Sequence, residues 1–132
     1  MRAACDVLVV DDEPVVRDAV RLVLGYEGYR VESAPDAESG LAHPALADCR
    51  LLLCDLMLPG QSGLEVLRQV RAKRPEVPIV MITGYATDAN AERALAEGAT
   101  AFLAKPFDDS ELLSLVRQVL ARTPDAGEDV IP

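Results

Sequence analysis

Leu51-Leu52-Leu53-Cys54-Asp55-Leu56-Met57-Leu58-Pro59-Gly60 decides how this chain folds. A short apolar run ends on a carboxylate, and Pro59-Gly60 then turns the chain. The run is continuous rather than alternating, so a strand built from it is covered on both faces. Other runs repeat the pattern. Val7-Leu8-Val9-Val10 ends in Asp11-Asp12-Glu13, Ile79-Val80-Met81-Ile82 ends in Thr83, and Ala101-Phe102-Leu103-Ala104 ends in Lys105-Pro106.

Helical patterns lie between these runs. Apolar residues at 16, 19, 20, 23 and 24 form one stripe at helical spacing. Pro14 suits the first turn of that helix, and Gly25 or Gly28 stops it. Residues 30–33 read as a short second strand. The Ala-rich segment 36–47 reads as a helix that Pro44 ends or distorts. Leu64, Leu67 and Val70 mark a helix over 63–74, stopped by Pro75. A strand over 78–82 is followed by a helix over 88–97, which Gly98 ends. The last helix, 108–122, carries Leu112, Leu115, Val116, Val119 and Leu120 on one side. Strand and helix thus alternate five times, which predicts a parallel sheet with helices on both faces and right-handed crossovers. In such sheets, sites form beyond the carboxyl ends of the strands at a switch in strand order. That rule alone gathers Asp11, Asp12, Asp55, Thr83 and Lys105.

The bulk properties agree with one domain. The chain has 132 residues, no Trp and only 4% aromatic residues, so its core is built from Val, Leu, Ile and Ala. A chain of this length buries roughly two-thirds of its unfolded surface and needs no staples. A net charge of -9 argues against nonspecific nucleic-acid binding. No apolar stretch approaches the ~20 residues of a membrane span and no signal peptide is apparent, so a cytoplasmic setting is expected. Cys5, Cys49 and Cys54 form no CxxC and are expected to be reduced and structural. His43 is expected to be a solvated surface side chain. Residues 123–132 have the composition of a flexible tail or linker.

Three carboxylates held close repel one another, and a hard divalent cation with oxygen ligands resolves the conflict. Mg²⁺ fits best, since it takes one or two carboxylates and accepts a phosphoryl oxygen. The absence of a His or Cys cluster argues against zinc. Asp55 is the candidate nucleophile, because a carboxylate can form an acyl phosphate. Lys105 can act as a point charge on a phosphoryl oxygen, and the Thr83 hydroxyl can bind another. Each residue alone has a bland explanation. An Asp at a strand end is commonly a turn or cap residue, and Asp11-Asp12-Glu13 before Pro14 suits a helix N-terminus. Thr83-Gly84 fits a plain turn, and Lys105 fits a solvated lysine. Their coincidence at successive strand ends favours a phosphoryl-accepting site.

These motifs resemble the receiver domains of two-component response regulators, in particular the chemotaxis-regulator type. The carrying segments are Val7-Leu8-Val9-Val10-Asp11-Asp12-Glu13, Leu52-Leu53-Cys54-Asp55-Leu56-Met57-Leu58-Pro59-Gly60-Gln61-Ser62-Gly63, Met81-Ile82-Thr83-Gly84 and Lys105-Pro106-Phe107. The resemblance covers about residues 5–122. It implies a flavodoxin-like, doubly wound α/β fold whose five-stranded parallel sheet has the order 2-1-3-4-5, with five helices on both faces. It implies that Asp55 is phosphorylated by a sensor histidine kinase or phosphotransfer protein, with Thr83 and Lys105 assisting. Asp12 would bind Mg²⁺ directly, Asp11 as an outer acidic partner, Asp55 itself, and Met57 through its backbone carbonyl. Gly84 would leave room for the phosphoryl group, and a cis Lys105-Pro106 bond would aim the lysine. Thr83 and Phe102 would form the switch pair. Met57 and Tyr85 would tune the phosphoryl lifetime, lengthening it because Met57 offers nothing polar to guide water and Tyr85 shields the site. The helix over 88–97, with Leu95 as its one large apolar residue, and the strand over 101–104 would change most on activation.

The resemblance implies a signalling switch, not a metabolic enzyme, that acts through an output domain or partner protein. Neither nucleic acid nor membrane would be bound directly, and a phosphorylation-dependent homodimer is compatible with it. The alternative reading is the N-terminal regulatory receiver of a longer DNA-binding transcription regulator or hybrid kinase. An aspartyl phosphatase fits less well, because those enzymes commonly carry a second Asp where Met57 stands. No P-loop is present for nucleotide hydrolysis.

Overall fold

The computed structural model describes residues 5–84 and 88–122. Tyr85 and the tail 123–132 lie outside the described residues. The elements run β1 (Val7–Val10), α1 (Pro14–Tyr26), β2 (Val31–Ala34), α2 (Ala37–Ala42), a 3-10 turn (Pro44–Ala47), β3 (Leu51–Asp55), α3 (Gly63–Lys73), β4 (Ile79–Thr83), α4 (Asp88–Ala96), β5 (Ala101–Ala104) and α5 (Asp109–Arg122). All strand pairs are parallel, in the order β2-β1-β3-β4-β5. The α/β fold is the flavodoxin-like one expected from the alternation and the resemblance.

Strand period two sorts the core into two layers. Leu8, Val10, Leu52, Cys54, Ile79 and Met81 pack against α2, α3 and α4. Val7, Val9, Leu51, Leu53, Val80 and Ile82 pack against Val20 and Leu24 of α1 and Leu112, Val116, Val119 and Leu120 of α5. Every residue of β1, β3 and β4 is buried, which explains why those strands read as unbroken apolar runs.

Local chemistry sets the ends. Helix α1 continues through Gly25, and Gly28 at φ 93° ends it, with the Tyr29 N–H reaching back to the Leu24 carbonyl. The expected helix over 36–47 is instead a two-part element. It breaks at His43, and Pro44 opens the 3-10 turn. His43 is not the solvated side chain expected from its neighbours: it is half-buried, and its Nδ1 accepts the Ala45 N–H at 3.0 Å. All three cysteines are free and buried. Burial pushes the Cys5 thiol up to about 12.

In α4 the anchor is not Leu95, which is 48% exposed, but Ala94, its one buried side chain among the described residues. Beyond the helix, α3 grips the chain. Arg68 makes a two-pronged pair with Glu97 at 2.8 and 3.1 Å, and Arg71 donates twice to the Gly98 carbonyl. Little apolar area therefore holds α4 itself. Among the described residues, no helix is long and apolar enough to cross a membrane.

At the amino ends of the strands, Asp6 is fully buried. One carboxylate oxygen accepts the Arg30 N–H at 2.8 Å and its guanidinium at 3.5 Å, and the other meets Arg50 Nη1 at 3.3 Å. Burial alone would raise this carboxyl, but these hydrogen bonds outweigh it and hold it below the usual range. A depressed carboxyl stabilises the fold above its unfolded value and loses that contribution as pH falls through the folded one. Asp6→Ala is expected to lose about 1–3 kcal/mol at neutral pH, since it removes a buried, charge-assisted hydrogen-bond acceptor. Urea unfolding should also show a flatter acid limb below about pH 4 than in the wild type.

Candidate functional site

Parallel register assembles the site. Val10 pairs with Cys54, so Asp11 and Asp55 emerge side by side, one from each central strand. Thr83 pairs with Ala104, so Lys105 follows directly on β5. The Lys105 N–H donates to the Thr83 carbonyl at 2.8 Å, and the Lys105-Pro106 bond is cis. β1 and β3 flank the switch in strand order, where open α/β sheets place their sites.

Lys105 Nζ sits among three carboxylates. It donates to Glu13 Oε1 at 2.7 Å and to Asp55 Oδ2 at 2.8 Å, and it stands 2.9 Å from Asp11 Oδ2. Burial would lower this ammonium's pKa, but the hydrogen bonds to Asp55, Glu13 and Asp11 more than reverse it, and the net shift is upward. Burial, together with the neighbouring Asp55 charge, pushes Asp11 up against the Glu13 N–H hydrogen bond and the adjacent Lys105 ammonium. Asp11 Oδ1 accepts the Glu13 N–H at 2.8 Å. Asp11 Oδ2, in contrast, is buried with no aligned hydrogen bond, although the ammonium lies close. The positive charge nearest to it, the Lys105 ammonium, is shared with Asp55 and Glu13.

Carboxylate oxygens of Asp11, Asp12, Glu13 and Asp55 lie within 4.8 Å of one another. Asp12 is exposed at the rim. An all-oxygen set of this charge fits a hard divalent cation. Asp55 is held from both sides, with Oδ1 accepting the Met57 N–H at 2.9 Å and Oδ2 on Lys105. The Met57 side chain is exposed. Thr83 is fully buried at the end of β4, and among the described residues nothing lies within 4 Å of where a Cβ on Gly84 would stand. Phe102 pairs with Met81 in register and is half-buried against the α2–α3–α4 layer. The structure thus brings Asp11, Asp12, Asp55 and Lys105 together, with Thr83 at the adjoining strand end. Tyr85 lies outside the described residues.

Sequence reasoning gave Glu13 a helix-end role. It does occupy the N-cap of α1, but its side chain makes no cap hydrogen bond and goes to Lys105 instead. The signal available was its place in one acidic run with Asp11 and Asp12.

Residues 7–117 match the family model described as the response regulator receiver domain. The chain belongs to that family. It is 36% identical over 116 residues to the transcriptional regulatory protein ResD of Bacillus subtilis, a match covering 88% of this chain and 48% of that one. It is 39% identical to an uncharacterised 14.6 kDa protein of Leptolyngbya boryana, covering 94% of this chain and 97% of that one. The receiver domain of NtrX from Brucella abortus superposes with TM-score 0.83 at 37% identity, covering 89% and 100% of the two chains. The chain spans about half the length of the first curated relatives it matches. Such domains are signalling switches of two-component systems, as the resemblance implied.

The loop after Asp55 depends on Gly63. A Cβ there would lie 2.1 Å from the Asp55 carbonyl oxygen and 2.8 Å from Leu56 Cα, both backbone atoms that cannot move aside. Gly63→Ala is expected to destabilise the domain by about 2–4 kcal/mol, read as a lower urea midpoint at unchanged slope.

Proposed function

We propose that Asp55 accepts a phosphoryl group from a histidine of a partner protein, with Mg²⁺ bound by Asp11, Asp12, Asp55 and the Met57 carbonyl. The observation that supports this most is the cluster of Asp11, Asp12, Glu13 and Asp55 carboxylates, sharing the Lys105 ammonium, around an Asp55 held at both oxygens. A carboxylate oxygen of Asp55 attacks phosphorus, an O–P bond forms, the P–N bond breaks, and the imidazole keeps the electron pair. Bound Mg²⁺ supplies positive charge to the transferring phosphoryl oxygens. Lys105 supplies a second positive charge, and the Thr83 hydroxyl donates to a third oxygen. The open space at Gly84 admits the group.

Phosphorylation adds about -1.5 to -2 charges beside Thr83. Thr83 moves toward them and Phe102 follows into the vacated volume, which shifts β5 and α4. The slender anchoring of α4 by Ala94 makes that shift inexpensive. Met57, which places no polar side-chain group over Asp55, slows loss of the phosphoryl group, with Tyr85 shielding the site. The domain runs over 5–122, and 123–132 serve as tail or linker. Its signal passes to an output domain or partner protein inside the cell. The half-length match to ResD, named a transcriptional regulatory protein, favours the alternative of a regulatory domain within a longer transcription regulator.

Incubation with Mg²⁺ and a small phosphodonor tests the reading by intact mass. The wild type should gain one phosphoryl group and Asp55→Asn none. In the same phosphorylated sample, amide exchange should change most in α4 and β5. An unmodified wild type, or equal modification of Asp55→Asn, contradicts the assignment.

A further inference from the structure

Lys105 has three anionic partners, and two of them are the oxygens a divalent cation needs. Asp11 Oδ2 and Asp55 Oδ2 are buried at the floor of the site, 2.9 and 2.8 Å from Nζ. An ammonium and a dication repel each other and compete for these oxygens. The third partner is different. Glu13 has a side chain 57% exposed, lies at the rim, and makes the shortest of the three contacts, at 2.7 Å. Its carboxylate is spent neither on capping α1 nor on another side chain among the described residues. The backbone beneath Lys105 is tied to Thr83, the side chain is 14% exposed, and Nζ touches all three carboxylates at once, so a small displacement toward Glu13 is enough to leave the two floor oxygens.

We infer that Glu13 is a positioning residue for Lys105. It holds the ammonium at the rim while a divalent cation takes Asp11 and Asp55, and it releases it to the phosphoryl oxygens. The inference rests on the reading of the site as a Mg²⁺-dependent phosphoryl acceptor. Glu13 acts on the cation through Lys105, not as a ligand. Without Glu13, Lys105 stays on the floor and opposes the cation. The exposure of Glu13 lets it accept and surrender Lys105 readily, because its own charge is solvated in either position.

A double-mutant cycle on Mg²⁺ affinity, measured by calorimetric titration, tests this. Glu13→Gln should weaken Mg²⁺ binding roughly three- to tenfold when Lys105 is present and less than about twofold in the Lys105→Met background. An equal or greater loss in the Lys105→Met background would show direct attraction of the cation by Glu13 and overturn the inference, as would no loss in either. Glu13→Gln should melt within a few degrees of the wild type without Mg²⁺, since the side chain is exposed. In the Mg²⁺-loaded wild type, the Lys105 ¹⁵Nζ signal should show slow exchange with water, and Glu13→Gln should lose that protection. Persistence of the protection also overturns the inference. If the wild type binds no Mg²⁺, the phosphoryl-acceptor reading falls and takes this with it. Mg²⁺ binding without coupling removes only the role of Glu13.

Discussion

One ammonium among three carboxylates is the constraint on which this structure depends. Parallel pairing of β1 with β3 drives Asp11 and Asp55 out of the same end of the sheet. Two buried anions at adjacent positions are unfavourable without compensation. Lys105, delivered from β5 by its bond to Thr83, supplies one positive charge against Asp11, Asp55 and Glu13. The mismatch persists after that pairing, since one ammonium faces three carboxylates. The fold therefore gathers more negative than positive charge at this end of the sheet.

The rest of the fold serves this arrangement. Two apolar layers cover both faces of the central strands and leave only their ends for polar chemistry. Close approach at Gly63 packs the start of α3 onto the backbone of Asp55, which fixes the loop carrying Met57. At the opposite end of the sheet, Asp6 with Arg30 and Arg50 ties β1 to the segments entering β2 and β3. At the β5 edge, α4 is held by one buried alanine among the described residues and by arginine contacts at Glu97 and Gly98 just beyond it. Site rigidity and α4 looseness are thus built from different interactions.

Much of this was legible in the sequence. Unbroken apolar runs signal buried parallel strands, and the polar residues at their ends, Asp11, Asp55, Thr83 and Lys105, are thereby expected at one end of the sheet, where the structure places them. Other features depended on packing that no periodicity encodes. Glu13 reads as a helix-end acid, and only the register that brings β5 near β1 shows it on Lys105. Asp6 stands just before an apolar run, and nothing in the local sequence marks its burial or its pairing with two arginines distant in sequence. His43 looked solvated, but the break before Pro44 turns its ring onto the Ala45 N–H. Leu95 is the one large apolar residue of α4, but the side chain buried in the core is Ala94.

Thermal melting against Mg²⁺ concentration at constant ionic strength tests the central claim of unbalanced buried charge most directly. A cation that binds only the folded cluster raises the melting temperature with concentration, by linkage worth about 2.7 kcal/mol at a hundredfold excess over its dissociation constant. The account predicts that rise for the wild type and its loss in Asp55→Asn. A melting temperature unmoved by saturating Mg²⁺ would contradict it.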